Sequence, residues 1–67
     1  MRSRYARIEV VPDERGETDT YEAYSMRGID ADGRVVWIEG IRKDRSTMYP
    51  DIRADVEAQL AKLKEGK

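Results

Sequence analysis

The stretch that decides the fold is residues 21–41, which read YEAYSMRGIDADGRVVWIEGI. Apolar and polar residues alternate on both sides of Ala31-Asp32-Gly33, and such alternation is typical of β-strands. Asp-Gly between two strand-like runs is a strong hairpin signal, because glycine accepts the positive φ that the turn needs. The stretch therefore predicts a long antiparallel hairpin, with strands at about 20–29 and 34–41.

The register of this hairpin depends on the length of its loop. A three-residue loop pairs Asp30 with Arg34. In that register Met26 lies opposite Ile38, whereas a two-residue turn would place Met26 opposite Glu39. We prefer the three-residue loop, because the apolar pattern sets the register wherever one face of a sheet is buried.

Two further elements flank the hairpin. Alternation predicts a first strand at about 5–11, which Pro12 ends because proline cannot donate to a ladder. A helix at about 50–64 is indicated by apolar residues at steps of four, four and three, typical of one helix face. These residues are Ile52, Val56, Leu60 and Leu63. The order predicts a single α+β domain, residues 1–67, with a three-stranded antiparallel sheet and one C-terminal helix packed on one sheet face.

The preferred register divides the sheet into two unequal faces. The helix has one apolar stripe and so covers one face, which we expect to consist of Ile8, Val10, Tyr24, Met26, Val36 and Ile38. We call the other side, which does not contact the helix, the helix-free face. Trp37, the only tryptophan of the chain, is expected at its centre, directly opposite Arg27. The candidate interface residues on this face are Tyr21, Arg27, Ile29, Val35, Trp37, Ile41 and Arg7.

An interaction surface is the leading functional hypothesis for this face. Contiguous apolar patches with an aromatic centre tend to mark interfaces. A chain of 67 residues also has a small core that self-association would enlarge. The sequence therefore favours a non-catalytic protein–protein interaction module, either a homo-oligomer such as a dimer or a module that binds a larger protein partner. Pairing between strand edges is a second route to a dimer, and an ordinary solvated face is the competing interpretation.

Nucleic-acid binding is the alternative function. Three antiparallel strands backed by one helix resemble the arrangement that some DNA-binding domains lay in the major groove, such as ethylene-response-type domains of plants. Arg7, Arg27 and Trp37 would then read DNA from the helix-free face. Glu9, Glu39 and a formal net charge of -1 disfavour this function, because a DNA reader normally has a clear basic excess.

Composition argues against most enzyme classes and against bound metal. The chain has neither cysteine nor histidine, which removes thiolate nucleophiles, imidazole bases and almost every zinc site. No glycine-rich phosphate loop is present, and the paired carboxylates Asp30 and Asp32 have simple roles in a turn. We therefore expect no enzyme activity, no cofactor and no metal. No apolar run approaches the roughly 20 residues of a membrane span, so a cytoplasmic protein without membrane contact is expected.

Two charged segments connect the predicted elements. Residues 12–22 carry five acidic side chains against one arginine, and residues 42–48 form the most basic local run. We interpret both segments as solvated loops. The alternative for the basic run is a docking site for an acidic partner or for phosphate.

Overall fold

The computed structural model describes residues 5–66. These residues form three strands and one helix in the order β1 (Arg7–Pro12), β2 (Tyr21–Ile29), β3 (Val35–Arg42) and α1 (Pro50–Glu65). The strands pair antiparallel in the spatial order β1-β2-β3, so β2 is central while β1 and β3 are the two edges. The predicted α+β fold, with one C-terminal helix packed on one sheet face, is confirmed.

The helix α1 forms where the sequence carries helix start and stop signals. Pro50 and Asp51 occupy its first turn, where a missing N–H and a negative charge both suit the helix. Lys62 and Lys64 lie in the last turn, near the negative end of the helix dipole. The backbone N–H of Gly66 donates to the carbonyl of Lys62 at 3.1 Å and closes that turn.

The apolar stripe of α1 packs on one face of the sheet and forms the core. Val56 and Leu60 are buried, and the other two residues of the stripe are partly buried against the same cluster. The sheet contributes Ile8, Val10, Tyr24, Met26 and Ile41 to this cluster. Each buried aliphatic side chain is worth about 1.5–3 kcal/mol relative to exposure. Of the six sheet residues predicted for the core, Ile8, Val10, Tyr24 and Met26 are confirmed, whereas Val36 and Ile38 are exposed.

The hairpin loop has the predicted length. The backbone N–H of Asp30 donates to the carbonyl of Arg34 at 2.9 Å, and Gly33 has a φ of 84°, in the left-handed region. The Oδ1 atom of Asp30 accepts hydrogen bonds from the backbone N–H groups of Asp32 and Arg34, each at 2.9 Å. The three-residue loop is confirmed at the turn itself.

Beyond the turn the predicted register is wrong, because β3 contains a bulge. Ile29 pairs with Val35, as a three-residue loop requires. The preceding residue of β2, Gly28, pairs with Trp37, so Val36 is an extra residue in β3. Since strand side chains alternate with a period of two, one extra residue moves the later side chains of β3 to the opposite face.

The bulge exchanges residues of β3 between the two faces. The sequence prediction puts Trp37 and Ile41 on the helix-free face, but Trp37 packs against the core and Ile41 is 0% exposed. Val36 and Ile38, predicted for the core, are 44% and 63% exposed. In the observed register Ile41 is fully buried and the large Trp37 indole packs against the core, where Gly28 leaves space for it.

Candidate functional site

The two edges of the sheet differ, and the edge at β1 is closed by a side chain of α1. The Oε1 atom of Gln59 accepts a hydrogen bond from the Val10 N–H at 2.8 Å, and its Nε2 atom donates to the Ile8 carbonyl at 2.8 Å. Nε2 also donates to Oδ1 of Asp55 at 3.1 Å, which orients the carboxamide. The Gln59 side chain therefore occupies backbone groups to which another strand would bind, and α1 lies over this edge.

The edge at β3 has no comparable cover. Within residues 5–66 no strand pairs with its outer side. Three apolar residues around the bulge are exposed: Val35 by 45%, Val36 by 44% and Ile38 by 63%. β3 contains neither proline nor lysine, and of the devices that discourage edge pairing it has the bulge at Val36. We call the outer side of β3 with Val35, Val36 and Ile38 the β3 edge.

The helix-free face is more polar than the sequence predicts. Its central row runs from Glu9 on β1 through Arg27 on β2 to Ile38 on β3. The next row contains Val11 and Ser25. The exposed apolar surface of the sheet therefore follows the β3 edge and does not cross the face.

Three of the seven predicted interface residues are not available on the helix-free face. Trp37 lies on the helix side, where its ring covers Gly28 and meets the Tyr5 ring edge-on with the two centroids 5.4 Å apart. Ile29 and Ile41 are buried and have no surface to offer a partner. The predicted aromatic centre of the interface therefore packs against the core instead.

The other four predicted residues keep exposed or half-buried side chains. Val35 belongs to the β3 edge, and the Tyr21 ring lies 5.8 Å from the guanidinium carbon of Arg42. Arg7 is exposed and lies 3.8 Å from the carboxylate of Glu9, beyond ordinary hydrogen-bond distance. Arg7 and Trp37 lie on opposite faces, so the residues predicted to read DNA do not form one surface.

Arg27, the fourth of these residues, lies in an open depression of the helix-free face with a volume of about 410 Å³. Among residues 5–66 its buried Nε atom has no hydrogen-bond partner, although Glu9 is its neighbour on β1. Ile38 and Val11 line the depression with apolar surface, and Asp13 lies at its β1–β2 loop side. An unsatisfied buried donor is uncommon in folded proteins.

Asp13 lines this depression, and its carboxylate accepts several hydrogen bonds within the fold. Its carboxylate accepts a hydrogen bond from the Ser25 hydroxyl at 2.6 Å. It also accepts from Arg15 through Nη2 at 2.9 Å, Nε at 3.3 Å and the backbone N–H at 2.9 Å. The Arg15 guanidinium, followed by the Ser25 hydroxyl, holds the pKa of Asp13 well below its usual range. The Asp13 carboxylate therefore holds Arg15 of the β1–β2 loop against Ser25 of β2. This loop belongs to the acidic segment that the sequence predicts as solvated.

A network of ion pairs ties the connection between β3 and α1 to the rest of the fold. Nη1 of Arg45 donates to Glu22 at 3.0 Å, and its Nε donates to Glu57 at 3.3 Å. Lys64 also contacts Glu22 at 3.3 Å. The hydrogen bond from Arg45 lowers the pKa of Glu22 against the opposing effect of burial, since only 11% of this side chain is exposed. Arg45, from the predicted basic run, is therefore engaged inside the chain.

Gln59 is the residue of this region that sequence analysis does not single out. It precedes Leu60 and borders the apolar stripe of α1. A polar residue beside an apolar stripe is common on surface helices, so nothing in the local pattern marks it. Its two backbone partners on β1 lie 49 and 51 positions away in the chain, and only the docked helix brings them together.

Within the part of the chain that the structure describes, no group of three or more potential ligand side chains is arranged to hold a metal ion. No helix in residues 5–66 has the length and apolar character needed to cross a membrane. Comparison with known proteins finds no matching family model, no matching curated protein and no matching solved structure.

Proposed function

We propose that this chain is a non-catalytic protein–protein interaction module that self-associates through the β3 edge. The observation that carries the proposal is the difference between the two sheet edges. Gln59 occupies the outer backbone groups of β1, whereas Val36 and Ile38 remain exposed along β3. An uncovered edge strand with apolar side chains is a template for the addition of another strand.

A second copy of the chain is the partner that fits this edge. Two β3 strands related by a two-fold axis pair antiparallel and join two three-stranded sheets into one. The antiparallel register that sets Val35 opposite Ile38 of the second copy also sets Arg34 opposite its Glu39. Such pairing brings apolar side chains together in the middle of the contact and opposite charges at its ends. The β3 edge is therefore complementary to itself.

The first test is the mass of the protein in solution, measured by light scattering after size-exclusion chromatography over a wide concentration range. The wild type should form a dimer, and Ile38→Glu should shift it to the monomer because a charge would enter the contact. Tyr49→Glu is the matched control, since Tyr49 is 74% exposed but lies outside β3, and it should leave the dimer intact. A wild type that stays monomeric at the highest concentration would refute the proposal.

A second test separates edge pairing from stacking of the two helix-free faces. Glu39 is exposed on the helix side of β3, where it is the ladder partner of Met26 in the core. Because the chain has no cysteine, Glu39→Cys and Arg34→Cys each provide a single thiol, and the two variants are mixed with a short bis-maleimide. The proposed register sets residue 34 of one copy opposite residue 39 of the other, so edge pairing gives a covalent dimer of the two variants, whereas stacked helix-free faces leave the Glu39→Cys thiol on an outer surface. The control Ala58→Cys, exposed on α1, should not cross-link.

A further inference from the structure

We infer that the depression beside Arg27 binds the terminal carboxylate of a partner polypeptide whose last residue is aliphatic. The Arg27 guanidinium forms no side-chain hydrogen bond or ion pair within residues 5–66, its Nε atom is buried without a partner, and the residue lines the open depression. A guanidinium carries donors in a planar fork, and a carboxylate is the group that matches this fork with two parallel hydrogen bonds. The unpaired guanidinium at an open depression therefore points to an anionic ligand.

The charges around the depression favour a single carboxylate over a polyanion. Asp13 and Glu14 line the depression together with Arg15, and Arg15 is already committed to Asp13. A nucleic-acid backbone or a phosphate dianion would meet these acidic side chains as well as Arg27. A lone carboxylate can contact Arg27 while the rest of the ligand remains uncharged.

The apolar part of the site selects the kind of carboxylate. Ile38 is the direct cross-strand neighbour of Arg27, and such neighbours have Cβ atoms about 4.5–5.5 Å apart. A C-terminal aliphatic residue carries its carboxylate and its side chain on the same Cα, so the two groups can reach Arg27 and Ile38 together. A glutamate side chain brings a carboxylate without the aliphatic group.

This site lies on the helix-free face, whereas the proposed self-association uses the outer side of β3. Ile38 borders both surfaces, but ligand binding is measured from the Arg27 resonance and self-association from the mass of the protein in solution. The two proposals can therefore fail separately. A monomeric protein that binds the ligand refutes only the proposed function, and a dimer that does not bind it refutes only this inference.

The test is a titration of the isotope-labelled protein by NMR, observing the Arg27 Nε–H and the Ile38 methyl resonances. The probes are N-acetyl-leucine, which has the carboxylate and the aliphatic chain, and its neutral amide, which lacks the charge. N-acetyl-glutamate amide and inorganic phosphate represent the other sources of negative charge. N-acetyl-leucine should shift both resonances in a saturable way, and each of the other three probes should bind at least about tenfold more weakly, as expected for loss of one charged or apolar contact.

Arg27→Gln should weaken binding of N-acetyl-leucine by about tenfold or more. Arg34→Gln is the matched control, because Arg34 is exposed at the hairpin loop outside the depression, and it should bind as the wild type does. The wild-type Nε–H resonance reports binding even if Arg27→Gln does not fold. Absence of a saturable shift, or equal binding of the amide or of phosphate, would overturn the inference.

Discussion

Replacing Gly28 by alanine tests why β3 carries its bulge. A Cβ atom at this position would overlap Nε1 and Cε2 of the Trp37 indole and lie 2.9 Å from its Cδ1. The indole has little freedom to move, because it packs against the core and against Tyr5. Overpacking of this kind costs about 1–3 kcal/mol, while alanine gains roughly 0.5–1 kcal/mol over glycine in backbone entropy. Gly28→Ala should therefore lower the free energy of unfolding by about 1–2 kcal/mol.

The assay is urea unfolding followed by far-UV circular dichroism and by the fluorescence of Trp37. The expected loss is measurable, since a domain of this size is stable by about 3–10 kcal/mol. Gly40→Ala is the matched control, because its Cβ would lie 3.2 Å from Cδ1 of Tyr21. The Tyr21 ring is exposed and can shift outward, so Gly40→Ala should stay within about 0.5 kcal/mol of the wild type.

A double-mutant cycle with Trp37→Leu identifies the indole as the cause. In the leucine background the Cβ of alanine has space, so Gly28→Ala should lose most of its cost and the coupling should be about 1 kcal/mol. This cycle is followed by circular dichroism because the only tryptophan is removed. If Gly28→Ala were as stable as the wild type, or equally costly in both backgrounds, the packing argument would be wrong.

Four further substitutions test the edge, the core and the ion-pair network. Gln59→Met removes both hydrogen bonds to the β1 edge and should lower the free energy of urea unfolding by about 1–3 kcal/mol. A change below a few tenths of a kcal/mol would contradict the role of Gln59 in closing this edge. Ile41→Ala should lower the free energy of unfolding by about 2–4 kcal/mol, whereas Ile38→Ala, measured on the monomer, should lower it by less than about 1 kcal/mol. A larger loss for Ile38→Ala than for Ile41→Ala would instead support the register predicted from the sequence. The pKa of Glu22 is lowered in the fold, so its contribution to stability is complete above the unfolded value of 4.5 and is lost as the pH falls through the lower folded value. The thermal midpoint should therefore fall less steeply below about pH 5 in Glu22→Gln than in the wild type, and parallel curves would contradict this assignment.

The elements of the fold follow from local signals, and these were sufficient to predict their order. Proline at the start of α1, the apolar residues spaced at steps of four, four and three, and Asp-Gly in the hairpin loop each act within a few residues. The observed bounds differ from the predicted ones by two residues or fewer. The three-residue loop is also local, because Asp30 bonds to residues no more than four positions away.

The candidate site was predicted only in part, because it depends on the register of β3. Residues 35–38 read VVWI, and four consecutive apolar residues are compatible with either face of a sheet. Arg27 and Val35 remain at exposed or half-buried positions outside the core, whereas Trp37 packs half-buried against the core and Ile41 is buried in it. The local pattern therefore located the strand correctly but left its two faces undetermined.

The sequence by itself determined which segments become strands and helix, where the hairpin turns and which stripe of α1 is buried. The tertiary structure alone decided the bulge at Val36, because the choice rests on the fit of an indole over Gly28 and on the burial of Ile41 beneath α1. It also decided which sheet edge stays open, since Gln59 reaches β1 across about fifty residues of chain. Both outcomes depend on contacts between distant segments, and a local pattern does not encode those contacts.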